Sequence, residues 1–166
     1  YIFKEYLTSG DIVIPISPLV KKYCYEIIGT KNDWTGSEYD FFLMSQYVDF
    51  DYVDDFLVVM REHDKNDGKN ILSVYDRVQR YNAQALYNKN TIDRVGRKLI
   101  NKRVANNYLI ISLNFIASND FKMSKDAIIK AILIMPQYVL KFRVIIVLIL
   151  SFLPARVSAK IYPKVK

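Results

Sequence analysis

Beyond residue 70 the apolar residues of this chain recur every three or four positions, which is the spacing that one face of an α-helix presents to a core. The positions with this spacing include Val74, Val78, Ala85, Ile92, Val95 and Leu99. The chain has 166 residues, of which 51% are hydrophobic, so a region of this size can bury a core. We therefore predict that residues 71–166 are helical.

The charge of the chain changes sign at the same point. Residues 1–70 hold 7 Lys/Arg and 13 Asp/Glu, a net charge of −6, and residues 71–166 hold the other 17 basic and 4 acidic residues, a net charge of +13. Such an asymmetry indicates two segments with different surroundings. We predict one domain over residues 1–70, facing a substrate or metal, and a basic helical extension over residues 71–166, facing something anionic.

Two apolar runs lie near the C-terminal end, at residues 131–135 and 144–150. Lys130, Lys141 and Arg143 interrupt them, so neither approaches the ~20 apolar residues that cross a bilayer. Two interpretations have equal weight. The second run forms either a helix that lies in the plane of an anionic membrane surface or a helix buried in a bundle.

The chain has one cysteine, Cys24, and one histidine, His63. This composition excludes internal disulfides and zinc sites built from several thiolates. A reducing, cytoplasmic location is expected, with peripheral attachment to the inner face of the plasma membrane as an open alternative. Because the chain begins at Tyr1 with no leader, we expect it to be a piece of a longer protein.

Three motifs follow one another in the acidic segment. Ile28-Gly29 ends a predicted short helix, and Gly36-Ser37-Glu38-Tyr39-Asp40 opens another, predicted over residues 38–48. Ser37 is its expected N-cap, and negative charge in the first turn is favoured by the helix dipole. The third motif is Arg61-Glu62-His63-Asp64-Lys65-Asn66, which follows a predicted strand over residues 52–60.

This order of motifs resembles the C-terminal part of family 2, GT-A-type glycosyltransferases. That family typically shows an Ile-Gly segment, a Gly-Glu-Asp-Tyr-Asp-like motif that opens a helix, and then a strand that ends in Tyr-Arg-x-His-x-x-Asn. The likeness covers roughly residues 10–66, where an extended segment at residues 11–20 suits the preceding strand. It implies an α/β fold, the C-terminal half of a Rossmann-like nucleotide-diphospho-sugar transferase domain followed by a helical extension.

The resemblance and the chemistry of the reaction together suggest roles for five residues. Glu38 takes the place of the catalytic base, where the family usually has aspartate, and Asp40 in the same turn is the alternative base. Arg61 and His63 suit the donor end of the reaction. The resemblance implies that His63 approaches the divalent metal or the diphosphate, and Arg61 either holds phosphate or braces the loop. Trp34 either stacks on an acceptor sugar or fastens its loop to the core.

The implied enzyme is an inverting glycosyltransferase of bacterial cell-surface polysaccharide synthesis, which uses a nucleotide-sugar donor, a saccharide or lipid-linked acceptor, and Mg or Mn. Most metal ligands and the nucleotide-binding half would lie outside this chain, so the chain alone is expected to be inactive. The alternative function is a non-enzymatic basic module that binds nucleic acid or an anionic membrane. Nucleic acid is the less expected partner, because no recognition motif accompanies the basic cluster Arg94, Arg97, Lys98, Lys102 and Arg103.

Overall fold

The computed structural model describes residues 19–29, 37–51 and 70–152, together with Phe3 and Leu7. The chain divides into two compact units, Tyr1–Arg94 and Val95–Lys166, which we call the N-terminal unit and the C-terminal unit. All regular secondary structure among the described residues is helical. The division does not test where a helical extension begins, so the boundary after residue 70 stays a prediction.

The N-terminal unit is built from short helices. They are α1 (Lys22–Ile28), α2 (Ser37–Met44), α3 (Ile71–Tyr81) with its π-helical continuation (Asn82–Leu86), and α4 (Lys89–Val95), whose last residue begins the next unit. The prediction that Gly29 ends α1 is confirmed, since its φ of 65° lies in the left-handed region that glycine adopts without a Cβ penalty. The predicted strand over residues 52–60, and most of the one over residues 11–20, lie outside the described residues.

Phe42 is the centre of the N-terminal core. Its side chain is fully buried, and its ring centroid lies 5.4 Å from that of Phe3 and 5.7 Å from that of Tyr81, the latter edge to face. Aromatic pairs in this geometry contribute about 0.5–1.5 kcal/mol beyond the area that they bury. Phe41 and Met44 are buried beside it, so three residues of α2 fix that helix in the unit.

The C-terminal unit is a helical hairpin with a third helix packed on it. It consists of α5 (Arg97–Ala117), α6 (Phe121–Ile134), a 3₁₀ segment (Pro136–Leu140) and α7 (Phe142–Phe152). Asn119, at a φ of 60°, makes the turn between α5 and α6, and the Asp120 side chain then caps α6 by accepting a hydrogen bond from the Met123 amide. Ile128 and Val147 are fully buried where these helices meet.

The predicted α/β fold is wrong. Residues 19–29, 37–51 and 70–152 contain no strand and no sheet, whereas a Rossmann-like half-domain requires buried parallel strands with helices on their faces. In the described chain apolar helix faces instead bury one another. Residues 144–150 show how strong this preference is, because five of these seven are β-branched and yet lie in α7, where packing outweighs strand propensity.

Candidate functional site

Asp40 lies in the opening turn of α2 and is partly buried. Burial raises the pKa of its carboxyl above the ordinary value of 3.8, because a low-dielectric surrounding disfavours the charged form. The ionised carboxylate is therefore a stronger base than a solvated aspartate. Titratable groups whose pKa is shifted by burial are candidates for functional sites, although structural groups show such shifts too.

The raised pKa also gives Asp40 a pH-dependent effect on stability. Below the ordinary pKa of 3.8 the carboxyl is protonated in both the folded and the unfolded chain, so its titration does not lower the free energy of unfolding. As the pH rises through the window between 3.8 and the raised folded pKa, the unfolded chain loses its proton first. Ionisation of Asp40 then lowers the free energy of unfolding, and this cost persists at neutral pH.

The chain just after α2 is fastened by polar contacts. The buried Gln46 donates from its side-chain Nε2 to Thr91 Oγ1 at 3.3 Å, and its backbone carbonyl accepts a 2.7 Å hydrogen bond from Arg94 Nη1. The Arg94 guanidinium carbon also lies 5.7 Å from the ring centroid of Tyr47 and 5.6 Å from that of Phe3. These contacts join the segment just after α2 to α4, so the helix that carries Asp40 is held at its C-terminal end.

The structure describes only part of the predicted site. Glu38 lies on α2 two positions before Asp40. Trp34, Arg61 and His63 lie outside the described residues, so their roles stay predictions. Within the described ranges, no three His, Cys, Asp or Glu side chains come together as a possible metal site.

The C-terminal unit has a surface cavity of about 530 Å³ lined by three lysines. Lys98 and Lys102 are four residues apart on α5, and Lys141 follows the 3₁₀ segment. The buried Tyr138 lies between them, because its hydroxyl donates to the Lys102 carbonyl at 3.2 Å and the Lys141 Nζ lies 3.5 Å from its ring centroid. The sequence pattern singled out Lys98 and Lys102 but missed Lys141, since only the fold brings it near them.

The basic cluster singled out in the sequence is divided between two helices. Gly96, at a φ of 81°, separates α4 from α5, so Arg94 lies on α4 and contacts Gln46, whereas Arg97, Lys98, Lys102 and Arg103 lie on α5. The cluster is therefore not one continuous helical surface. Its α5 members belong to the C-terminal unit, where two of them line the lysine cavity.

The part of the chain that the structure describes defines a protein of two helical units, with a partly buried carboxylate in one and a three-lysine cavity in the other. Comparison of the chain with protein-family models, with curated proteins and with solved structures finds no match. Among the described helices, none combines the length and the apolarity needed to cross a membrane.

Proposed function

We propose that this chain contributes the acceptor side of an inverting glycosyltransferase, which moves a sugar from a nucleotide sugar to the hydroxyl of a saccharide or lipid-linked acceptor. The observation that carries the proposal is Asp40, a partly buried carboxylate with a raised pKa in the opening turn of α2. The order of the motifs at residues 28–29, 36–40 and 61–66 supports it separately. The proposal needs no sheet among the described residues.

The chemistry explains why a carboxylate with a raised pKa suits this position. A sugar hydroxyl attacks an anomeric carbon only when a positioned base takes its proton, and such a base accelerates the step by about 10²–10⁴-fold. The oxygen of the acceptor forms the new bond, the bond to the diphosphate breaks, and the leaving nucleoside diphosphate keeps the electron pair. Asp40 takes the proton in this scheme, and attack from the opposite face inverts the anomeric carbon.

Two carboxylates compete for the role of base. The motif resemblance favours Glu38, which occupies the position of the usual aspartate, whereas the burial and raised pKa of Asp40 favour Asp40. Because residues two apart on a helix point in different directions, the two cannot serve one acceptor hydroxyl equally. We assign the role to Asp40, and substitution of each carboxylate separately tests this choice.

The remaining partners follow from the reaction. Departure of a nucleoside diphosphate is assisted by a divalent cation such as Mg or Mn, which neutralises the developing charge. The described residues do not form a ligand set for such an ion, so we derive no step through it. We propose His63 as a contact to the ion, Arg61 as a contact to the diphosphate and Trp34 as a stacking surface for the acceptor. The proposal implies a cytoplasmic enzyme.

The test uses the complete protein as its gene encodes it. The protein is incubated with a panel of nucleotide sugars, a divalent cation and saccharide acceptors, and the released nucleoside diphosphate is measured. Asp40→Asn should lower kcat by about 10²–10⁴-fold while donor binding is unchanged. Asp49→Asn, which neutralises an exposed carboxylate nine positions along the chain, is the matched control and should retain activity.

Two results would contradict the proposal. Absence of turnover with every donor and acceptor would remove the glycosyltransferase assignment. Full activity in both Asp40→Asn and Glu38→Gln would remove the role of α2 in catalysis. If Glu38→Gln abolishes transfer while Asp40→Asn does not, the base is Glu38 and our choice of Asp40 is wrong.

A further inference from the structure

Helix α7 is apolar on two opposite faces. Val144, Val147 and Leu150 are buried against the rest of the C-terminal unit. The other face carries exposed apolar side chains at helical spacing, and we call it the α7 outer face; its members are Phe142, Ile145, Ile146, Ile149 and Phe152. A helix that is apolar on both sides is typical of a large core or a membrane environment. Among the described residues the outer face stays exposed, and a charged group contacts it at Phe152, where the Lys125 Nζ lies 4.0 Å from the ring centroid.

The α7 outer face meets the lysine cavity at one point in the chain. Leu140 and Phe142 are 80% and 76% exposed, and between them stands Lys141, which lines the cavity. The exposed apolar groups and the three lysines therefore border one another. Lysine carries its charge on a long apolar stem, so it can cover apolar surface while its ammonium group reaches an anionic group.

The surroundings of this surface are strongly positive. Residues 95–152 hold nine Lys/Arg and two Asp/Glu, a net charge of +7, and residues 127–152 hold no acid. Both acids already have local partners. Asp120 caps α6, and Asp126 pairs with Lys130 at 2.9 Å. The fixed charge of the described C-terminal unit thus favours an anionic partner.

We propose that the C-terminal unit binds the surface of an anionic phospholipid bilayer. The α7 outer face and Leu140 enter the boundary between headgroups and acyl chains, while Lys98, Lys102 and Lys141 hold lipid phosphates at the cavity. Interfacial helices bind in this way, through buried apolar area together with attraction to anionic lipid. This surface is independent of the role of Asp40, so either proposal can fail alone.

The alternative occupants fit less well. Nucleic-acid interfaces are polar and basic, so they give no reason for a row of exposed Phe and Ile side chains. A second copy of the chain would bring one positive surface against another, which like-charge repulsion disfavours. A bilayer with anionic headgroups satisfies the apolar and the cationic groups at once.

The test measures co-sedimentation of the 166-residue chain with vesicles of phosphatidylcholine alone and of phosphatidylcholine mixed with phosphatidylserine. The mixed vesicles should be bound more tightly, and salt should weaken that binding. A basic residue near an anionic leaflet strengthens binding by about fivefold, so the triple variant Lys98→Gln/Lys102→Gln/Lys141→Gln should lose about 100-fold. Circular dichroism checks that it remains folded.

A charge-matched control tests whether the position of the lysines matters. Lys21→Gln/Lys22→Gln/Lys89→Gln removes three exposed lysines of the N-terminal unit and lowers the net charge equally. This control should bind mixed vesicles within severalfold of the unchanged chain. Equal losses in the two triple variants would show that only total charge matters and would overturn the cavity as a lipid phosphate site.

A second variant tests the apolar part of the surface. Leu140→Ser/Phe142→Ser replaces two exposed side chains and should weaken binding to mixed vesicles by about tenfold or more, even at high salt. Equal binding of neutral and mixed vesicles by the unchanged chain would overturn the proposal. So would a dimer in solution that this double variant dissociates, or tighter binding to duplex or single-stranded nucleic acid that displaces the vesicles.

Discussion

Three buried serines join the helices of the C-terminal unit, and Ser124 on α6 is their common partner. Its hydroxyl lies 2.8 Å from that of Ser112 on α5 and 2.9 Å from that of Ser151 on α7. Ser112 Oγ also donates to the Ser124 carbonyl at 2.8 Å. All three side chains are buried, so no water replaces a lost partner without opening the core.

Ser124→Ala should therefore destabilise the C-terminal unit by about 2 kcal/mol. The change removes two buried hydrogen bonds of about 1 kcal/mol each, and it leaves the Ser151 hydroxyl without its partner on α6. Ser112→Ala/Ser124→Ala/Ser151→Ala should cost less than the single change, about 1 kcal/mol or below, because no stranded hydroxyl remains in the core. The effects of the three positions are expected to be non-additive.

The assay is urea unfolding followed by circular dichroism, with amide exchange of α5 and α6 to report on the C-terminal unit. At a slope of about 2 kcal/mol per M, the single variant should lower the midpoint by about 1 M without a change in slope. Ser118→Ala, an exposed change at the end of α5, is the control and should stay within about 0.5 kcal/mol. The reasoning would be refuted if the triple variant lowered the free energy of unfolding by the sum of the losses measured separately for Ser112→Ala, Ser124→Ala and Ser151→Ala.

Three further predictions follow from other contacts. Asp120→Ala removes the N-cap of α6 and should cost about 1 kcal/mol, whereas Asp126→Ala breaks an exposed ion pair with Lys130 and should cost at most about 0.5 kcal/mol, as read from urea midpoints. Arg94→Met removes a charged donor to the Gln46 carbonyl and should destabilise the N-terminal unit by about 2 kcal/mol, with exchange of α4 amides as the readout. Asp40→Asn should raise the urea midpoint at neutral pH, and this gain in stability should vanish as the pH falls below the ordinary pKa of 3.8. A gain in stability that persists in acid would contradict the argument that burial disfavours the ionised carboxylate.

The helices beyond residue 70 were predictable because apolar residues spaced three to four positions apart are a strong signal of a helix. The residues at which these helices begin and end were harder to predict. From its residue type, Ser124 is a good candidate for the start of a helix, but α6 begins at Phe121 with Asp120 as its cap. Both Asp and Ser are good caps. The left-handed turn at Asn119 decides between them, and the local composition does not reveal this turn. Ser124 is instead a buried contact between helices, a role that depends on α5 and α7.

The site was predictable to a different extent in each unit. Asp40 was identified from its place in a motif, but its burial depends on the packing around α2, which the motif does not contain. The lysine cavity joins Lys102 and Lys141, which are 39 positions apart, and no local pattern connects residues at that distance. The α/β prediction failed because the resemblance implied a sheet that the described residues do not contain.

Residues 144–150 left two interpretations open, a helix on a membrane surface and a helix buried in a bundle, and α7 shows why the sequence could not choose. Apolar residues lie on both sides of this helix, so the sequence does not show which side packs on the core. The structure assigns one side, through Val144, Val147 and Leu150, to the core and leaves the side with Ile149 exposed. The bundle interpretation thus accounts for one face only. Our proposal of a bilayer surface would account for the other, and the neighbouring lysines are the reason to expect that bilayer to be anionic.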